Sequence, residues 1–83
     1  MKGIPKIKLY GANRCHKTNY YIQYLKNFGV SFEFLDVEIN EEHAKELRGL
    51  YENGKLNFPT ITIGNKKLRN PNDKELEKWL NKI

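Results

Sequence analysis

Lys6-Ile7-Lys8-Leu9-Tyr10, then Gly11-Ala12-Asn13-Arg14-Cys15-His16-Lys17-Thr18, then Tyr21-Ile22 and Leu25, is the stretch from which the fold can be read. Residues 6–10 alternate polar and apolar, the period of a strand. Gly11-Ala12-Asn13 ends it. From Cys15 the spacing changes, and Thr18, Tyr21, Ile22, Leu25 and Phe28 recur at three- and four-residue steps, the stripe of an amphipathic helix. Asn27 and Gly29 suit the C-terminal end of that helix.

Outward from this strand–helix unit, Phe32 to Val37 is short, rich in β-formers and flanked by turn residues, so it predicts a second strand. Asn40 can cap the next helix, with Glu41 and Glu42 complementing the positive end of its dipole. Ala44, Leu47, Leu50 and Tyr51 form its apolar face, and Asn53-Gly54 is the expected stop. Pro59-Thr60-Ile61-Thr62-Ile63 reads as a third strand, Gly64-Asn65 as a two-residue hairpin turn with glycine first, and Lys66-Lys67-Leu68 as a lysine-rich edge strand. Asn70 with Asp73, or Asn72 with Glu75, can cap a last helix, whose stripe is Leu76, Trp79, Leu80 and Ile83. The predicted order is β-α-β-α-β-β-α, with a right-handed parallel crossover in the first β-α-β. The expected architecture is α/β: a four-stranded mixed sheet with helices on both faces, forming one domain over residues 1–83.

The 83 residues carry 15 Lys+Arg against 10 Asp+Glu, a net charge of +5, and are 39% apolar. No apolar run exceeds three residues (Tyr20-Tyr21-Ile22), which is too short for a membrane-spanning helix. Met1-Lys2-Gly3-Ile4-Pro5-Lys6 has positive charge but no apolar stretch behind it, so no secretory signal is expected. A single cysteine cannot form an internal disulfide or supply a zinc finger, and a reducing cytoplasm is the expected location. The lysines are dispersed and often sit beside glutamates, as in Lys74-Glu75 and Glu77-Lys78, the pattern of a solvated surface rather than of nucleic-acid binding. A monomer is expected.

Cys15 falls where the first strand passes into the first helix. Unpaired N–H groups and the helix dipole at that point favour thiolate over thiol. Arg14 and Lys17 add nearby positive charge, and His16 adds one when protonated; such surroundings lower a cysteine pKa. The alternative, a small buried hydrophobe, fits poorly with three polar neighbours. Cys15, His16 and His43 lack the spacing of metal ligands. Tyr10, Tyr20, Tyr21, Tyr24 and Phe58 could stack bases, but Tyr21 shares helical spacing with Leu25 and Phe28 and reads as core.

Leu9-Tyr10-Gly11, Cys15-His16-Lys17-Thr18 opening a helix, Asp36-Val37 ending a strand and Phe58-Pro59-Thr60 together resemble the glutaredoxin family of the thioredoxin-like fold, over about residues 6 to 82. Leu68-Arg69-Asn70-Pro71 is similar to mycoredoxin-type relatives, which carry an Asn-Pro pair there. The resemblance implies that Cys15 is the nucleophile of a C-x-x-C or C-x-x-S motif and that Pro59 is a cis-proline facing it. It also implies that Phe58 offers its backbone to an extended thiol peptide, by a short strand addition. Asn72 and Asp73 fall where such proteins bind the γ-glutamyl end of glutathione; capping of the last helix is their other reading. A trans-proline that merely begins a strand is the other reading of Pro59.

The departures from the family pattern are specific. Thr18 stands in place of the second cysteine; it can hydrogen-bond the Cys15 thiolate but cannot close a disulfide. Arg69-Asn70 replaces a Gly-Gly pair, Pro71 removes a backbone donor, and Ala12 occupies a position that is usually basic. The C-G-F-S signature of iron–sulfur-carrying relatives is missing.

The expected function is a monothiol thiol–disulfide oxidoreductase acting on mixed disulfides between protein clients and a small thiol such as glutathione. Cys15 and Thr18 would be catalytic, Arg14, His16 and Lys17 would stabilise the thiolate, and Phe58, Pro59, Asn72 and Asp73 would bind substrate. One alternative is a dimeric module holding an iron–sulfur cluster through Cys15 and small thiols. Another is a redox-inactive adaptor using its basic face.

Overall fold

β1 (Ile7–Gly11) runs between two neighbours in the computed structural model, which describes residues 6–82. On one side lies β2 (Glu33–Asp36), parallel, with Lys8 opposite Glu33 and Gly11 opposite Asp36. On the other side lies β3 (Thr60–Ile63), antiparallel, with Ile7 opposite Ile63 and Tyr10 opposite Thr60. β4 (Lys66–Arg69) pairs antiparallel with β3 and completes the order β2-β1-β3-β4. Gly64, at φ 60°, takes the first place of the predicted two-residue turn. Lys66, Lys67 and Arg69 are exposed on the outer strand, as a protected sheet edge requires.

Three helices cover the sheet: α1 (His16–Phe28), α2 (Glu41–Gly49) and α3 (Asp73–Leu80). The pleat divides the buried side chains between two faces. Ile7 and Leu9 of β1 join Ile61, Ile63 and Leu68 beneath Tyr21 and Leu25 of α1 and Leu76 and Leu80 of α3. Tyr10, Leu35 and Val37 pack on the opposite face against Ala44 and Leu47 of α2. Both faces are therefore covered, as the alternation in β1 and the helical stripes imply, and the element order and mixed sheet match the expectation.

Local chemistry explains the helix ends. Gly29 ends α1 in the left-handed region, at φ 91°, and its N–H donates to the carbonyls of Leu25 and Lys26. Asn40 caps α2 by accepting from the amides of Glu42 (2.9 Å) and His43 (3.3 Å). Asn72, rather than Asn70, caps α3 by accepting from the Glu75 amide at 2.8 Å.

Several boundaries differ from the sequence reading. β2 is shorter than Phe32 to Val37, β3 starts after Pro59, and β4 continues to Arg69. α2 ends at Gly49, before the predicted stop at Asn53-Gly54. Leu50 and Tyr51 leave the helix but stay packed on the α2-side core. Tyr51 is drawn away by its hydroxyl, 2.8 Å from Thr60 Oγ1, and by Lys67, whose ammonium lies 4.3 Å from the ring centroid. Phe28, predicted as core, is 37% exposed. Ile83, placed on the α3 stripe, and the opening segment Met1 to Pro5 lie outside the described residues.

Gly11 is the contact point between sheet and site. A Cβ there would stand 2.6 Å from Thr18 Cγ2 and closer still to Oγ1, so the end of β1 and the first turn of α1 touch only because residue 11 has no side chain.

Candidate functional site

The parallel strands β1 and β2 end side by side at Gly11 and Asp36, and the loop 12–15 rises from that edge. Asp36, 8% exposed, holds the loop: its Oδ2 accepts from the Asn13 amide (3.2 Å), and its Oδ1 accepts from the amides of Glu38 (2.9 Å) and Ile39 (3.2 Å). The Cys15 amide donates to the Ala12 carbonyl at 3.0 Å. The Asn19 side-chain amide spans the carbonyls of Asn13 (3.0 Å) and Cys15 (3.1 Å). The loop that carries the thiol is thus tied to both strands and to the helix that follows.

Cys15 is the N-cap residue of α1, extended at φ −85° and ψ 124°, and partly exposed. Its neutral thiol closes no capping bond. The charged form finds donors at once, and the pKa lies below that of a free cysteine. The backbone N–H of Thr18 contributes most to that lowering, and partial burial opposes it. The Thr18 hydroxyl, the Lys17 amide and the Arg14 guanidinium add smaller effects in that order.

The predicted stabilising residues therefore act unequally. Arg14 forms a two-pronged pair with Glu38, at 2.8 Å and 2.6 Å, so its charge is largely matched by a carboxylate. Lys17 acts on the sulfur through its backbone amide, while its ammonium turns to Asn70 Oδ1 at 3.1 Å. His16 is exposed on the first turn and is not among the groups that move the thiol.

Thr18 is fully buried, and its Oγ1 accepts from the Ala12 amide at 3.2 Å. It serves both the loop and the thiolate. Valine at position 18 keeps the shape but removes the hydroxyl. The expected result is a shift of the alkylation-rate profile of Cys15 to higher pH, together with a stability loss of about 1–3 kcal/mol from the unpaired Ala12 amide. A profile that does not move would remove the Thr18 hydroxyl, though not its backbone N–H, from the groups that favour the thiolate.

Pro59 is buried, and the Phe58–Pro59 peptide bond is cis. The register of Tyr10 with Thr60 sets Pro59 beside the Gly11 end of β1, at the base of the Cys15 loop. The ring of Phe58 packs against the α2-side core.

Asn70 is a residue whose part in the site the sequence reading missed. It stands in the left-handed region at φ 48°, which asparagine tolerates better than most residues. Its amide donates to the Pro59 carbonyl at 3.0 Å, and its Oδ1 accepts from Lys17 and lies 3.2 Å from the Tyr21 hydroxyl. The Tyr21 hydroxyl itself donates to the Pro71 carbonyl at 2.6 Å. One side chain thus joins the proline loop to the first turns of α1. The signal for it in the sequence is an asparagine directly before a proline at the place of the missing glycine pair.

Asn72 and Asp73 line a groove of about 620 Å³ together with His16, Lys17, Tyr20 and Pro71. The Tyr20 hydroxyl donates to the Asp73 carboxylate, 2.7 Å from each oxygen. Seven of the nine predicted site residues therefore lie on the Cys15 loop, the first turn of α1 or this groove, and Phe58 and Pro59 adjoin the base of that loop. Arg14 alone is directed elsewhere, toward Glu38. His43 lies on α2, on the opposite face of the sheet. Among the described residues no three His, Cys, Asp or Glu side chains converge as metal ligands, and no helix is long and apolar enough to cross a membrane.

A family model described as Glutaredoxin matches residues 7–68. Among solved structures, the chain is similar to the glutaredoxin grx-1 of Archaeoglobus fulgidus, with 22% identity, a TM-score of 0.77 and coverage of 94% of this chain and 88% of that one. It is similar to the thioredoxin-like protein BC3987, with 23% identity, a TM-score of 0.75 and coverage of 88% and 97%. It is also similar to glutaredoxin C1 from Populus tremula x tremuloides in its holo form, with 19% identity, a TM-score of 0.66 and coverage of 93% and 76%. No curated protein sequence matches.

Proposed function

The chain belongs to the glutaredoxin family, whose class of activity is thiol–disulfide exchange, and from that premise we propose that it is a monothiol oxidoreductase acting on mixed disulfides between proteins and a small thiol. The observation that carries this reading is the placement of Cys15 at the N-cap of α1, where the Thr18 and Lys17 amides favour its thiolate. Thr18, one helical turn on, leaves no second sulfur to resolve an adduct.

In the proposed cycle the Cys15 thiolate attacks the small-thiol sulfur of the mixed disulfide. A new bond joins Cys15 to the small thiol, the original S–S bond breaks, and the protein leaves as a thiolate that takes up a proton. A second small thiol, as thiolate, then attacks the sulfur carried on Cys15, forms the small-molecule disulfide and frees Cys15. The number of disulfides is conserved: the incoming small thiol is oxidised as the protein sulfur is reduced, its proton goes to the protein thiolate, and a reducing cytoplasm is the compartment that supplies that thiol. Glutathione is the co-substrate this reading names. The backbone of Phe58, beside Pro59, and the Lys17–Asn72 side of the groove would hold it, with Asp73 near its amino end.

Intact-mass spectrometry tests the cycle. Mixed with a glutathionylated protein, the chain is expected to acquire one glutathione at Cys15 as the client is released, and to lose it when reduced glutathione is added. Transfer of the client onto Cys15 instead, or no adduct at all, would overturn the proposed order of attack.

A further inference from the structure

The surface leading away from Cys15 differs from the rest of this basic chain. α1 carries the exposed Tyr20 and Phe28 with the half-buried Tyr24 between them, four residues apart, with successive ring centroids 6.2 Å and 6.4 Å apart and the last pair stacked at 16°. At 1.5 Å of rise per residue, the three rings form a ridge about 12 Å long. The ridge starts at Tyr20, 49% exposed, in the groove beside Cys15. It ends at Phe28, on the rim of a second cavity of about 850 Å³ shared with Val30, Phe32 and Leu80.

Asp73 and Glu77, one turn apart on α3 and so on one face of that helix, flank the ridge. Asp73 receives the Tyr20 hydroxyl, and burial together with Glu77 and Asp73 raises the pKa of Tyr24. Among the described residues neither carboxylate forms an ion pair with a lysine or arginine. The exposed rings of Tyr20 and Phe28 and the unmatched carboxylates attract a cation, and the rings also offer apolar surface. Lys17 and Lys74 line the groove at the Cys15 end of the seam, and its acidic part is the Glu77–Tyr24 stretch beyond that groove.

We propose that the α1–α3 seam docks the protein client, as an extended segment carrying a basic side chain next to an apolar one and running from the client's disulfide over Cys15 toward Phe28. A 12 Å ridge matches about four residues of extended chain. The proposal rests on Cys15 being the exchanging thiol. Glutathione held by Phe58 and the Asn72–Asp73 groove, which Tyr20 borders, leaves Tyr24, Glu77 and Phe28 beyond that groove for the client's half of the mixed disulfide.

Two glutathionylated peptides test it, one with Arg-Leu placed about four residues from its cysteine and one with Glu-Ser there, alongside glutathione disulfide as the small substrate. The full chain is expected to react with the Arg-Leu peptide roughly three- to tenfold faster than with the Glu-Ser peptide. Glu77→Gln and Tyr24→Gln should remove most of that preference and leave the rate with glutathione disulfide unchanged. Phe28→Gln, at an exposed ring, serves if Tyr24→Gln melts early. Equal rates for the two peptides, or a preference that survives all three variants, would overturn the docking site. A separate binding measurement uses Cys15→Ser protein and thiol-blocked, fluorescently labelled peptides. If no disulfide reacts but the blocked Arg-Leu peptide binds and is weakened by Glu77→Gln, the seam stands and the exchange reading falls.

Discussion

Serine in place of Cys15 is expected to abolish disulfide exchange and leave the fold intact. The sulfur closes no capping bond in the folded chain and is partly exposed, so nothing in the packing depends on it. Serine is itself a favoured N-cap residue, and the melting temperature of Cys15→Ser should equal or exceed that of the parent. The chemistry is another matter. The Thr18 and Lys17 amides ease the ionisation of a thiol, but an alcohol at the same place stays protonated at neutral pH, and no other sulfur apart from Met1 exists in the chain. Release of glutathione from a mixed disulfide should fall to the rate without protein. Turnover above that background would move the chemistry off Cys15, and a large drop in melting temperature would mean that the sulfur has a packing role not evident in the fold.

Alanine at Gly11 should harm the protein in the opposite way, through structure first. The added methyl group meets the Thr18 side chain, with Cγ2 at 2.6 Å, and Thr18 is fully buried with its hydroxyl bonded to the Ala12 amide. Neither side can yield without moving α1 away from the end of β1. Overpacking of this kind costs about 1–3 kcal/mol, which lowers the melting temperature of a domain this size by about 4–8 °C for each kcal/mol. The same displacement takes the Thr18 amide away from Cys15, so alkylation at neutral pH should slow in step with the loss of stability. Thr18→Ala added to Gly11→Ala relieves the contact, and the double variant should lose less than the two single losses combined. Strict additivity, or a Gly11→Ala protein as stable as the parent, would mean that the two residues are not in contact.

The parts of the fold that could be read in advance are those governed by neighbours in sequence. The change of period at Cys15, the glycine that ends α1, the asparagine that begins α2 and the Gly64-Asn65 turn all act over a few residues, and each stands where it was expected. The end of α2 was not legible, because Leu50 and Tyr51 continue the helical spacing while Thr60 and Lys67, brought in by the sheet, take hold of Tyr51. The site divides in the same manner. Cys15 could be placed from its position between strand and helix. The matching of Arg14 by Glu38 could not, since the two lie 24 residues apart, nor could the contacts of Lys17 with Asn70 and of Tyr20 with Asp73, each spanning 53 residues. Arg14 and Lys17 therefore read as free charges in the sequence, when the folded chain uses the Lys17 amide and turns both cationic groups to other partners.

The Arg14–Glu38 pair bears on how the thiol responds to dissolved salt. Mobile ions screen charges over a Debye length of about 8 Å at physiological ionic strength, and a sulfur kept ionised by loose cations would lose reactivity as salt rises. Here the Arg14 guanidinium is already matched by Glu38, and the chief support comes from the backbone N–H of Thr18 rather than from a mobile charge. The nucleophile should therefore hold its strength through osmotic swings that would quiet a site built on free lysine and arginine side chains.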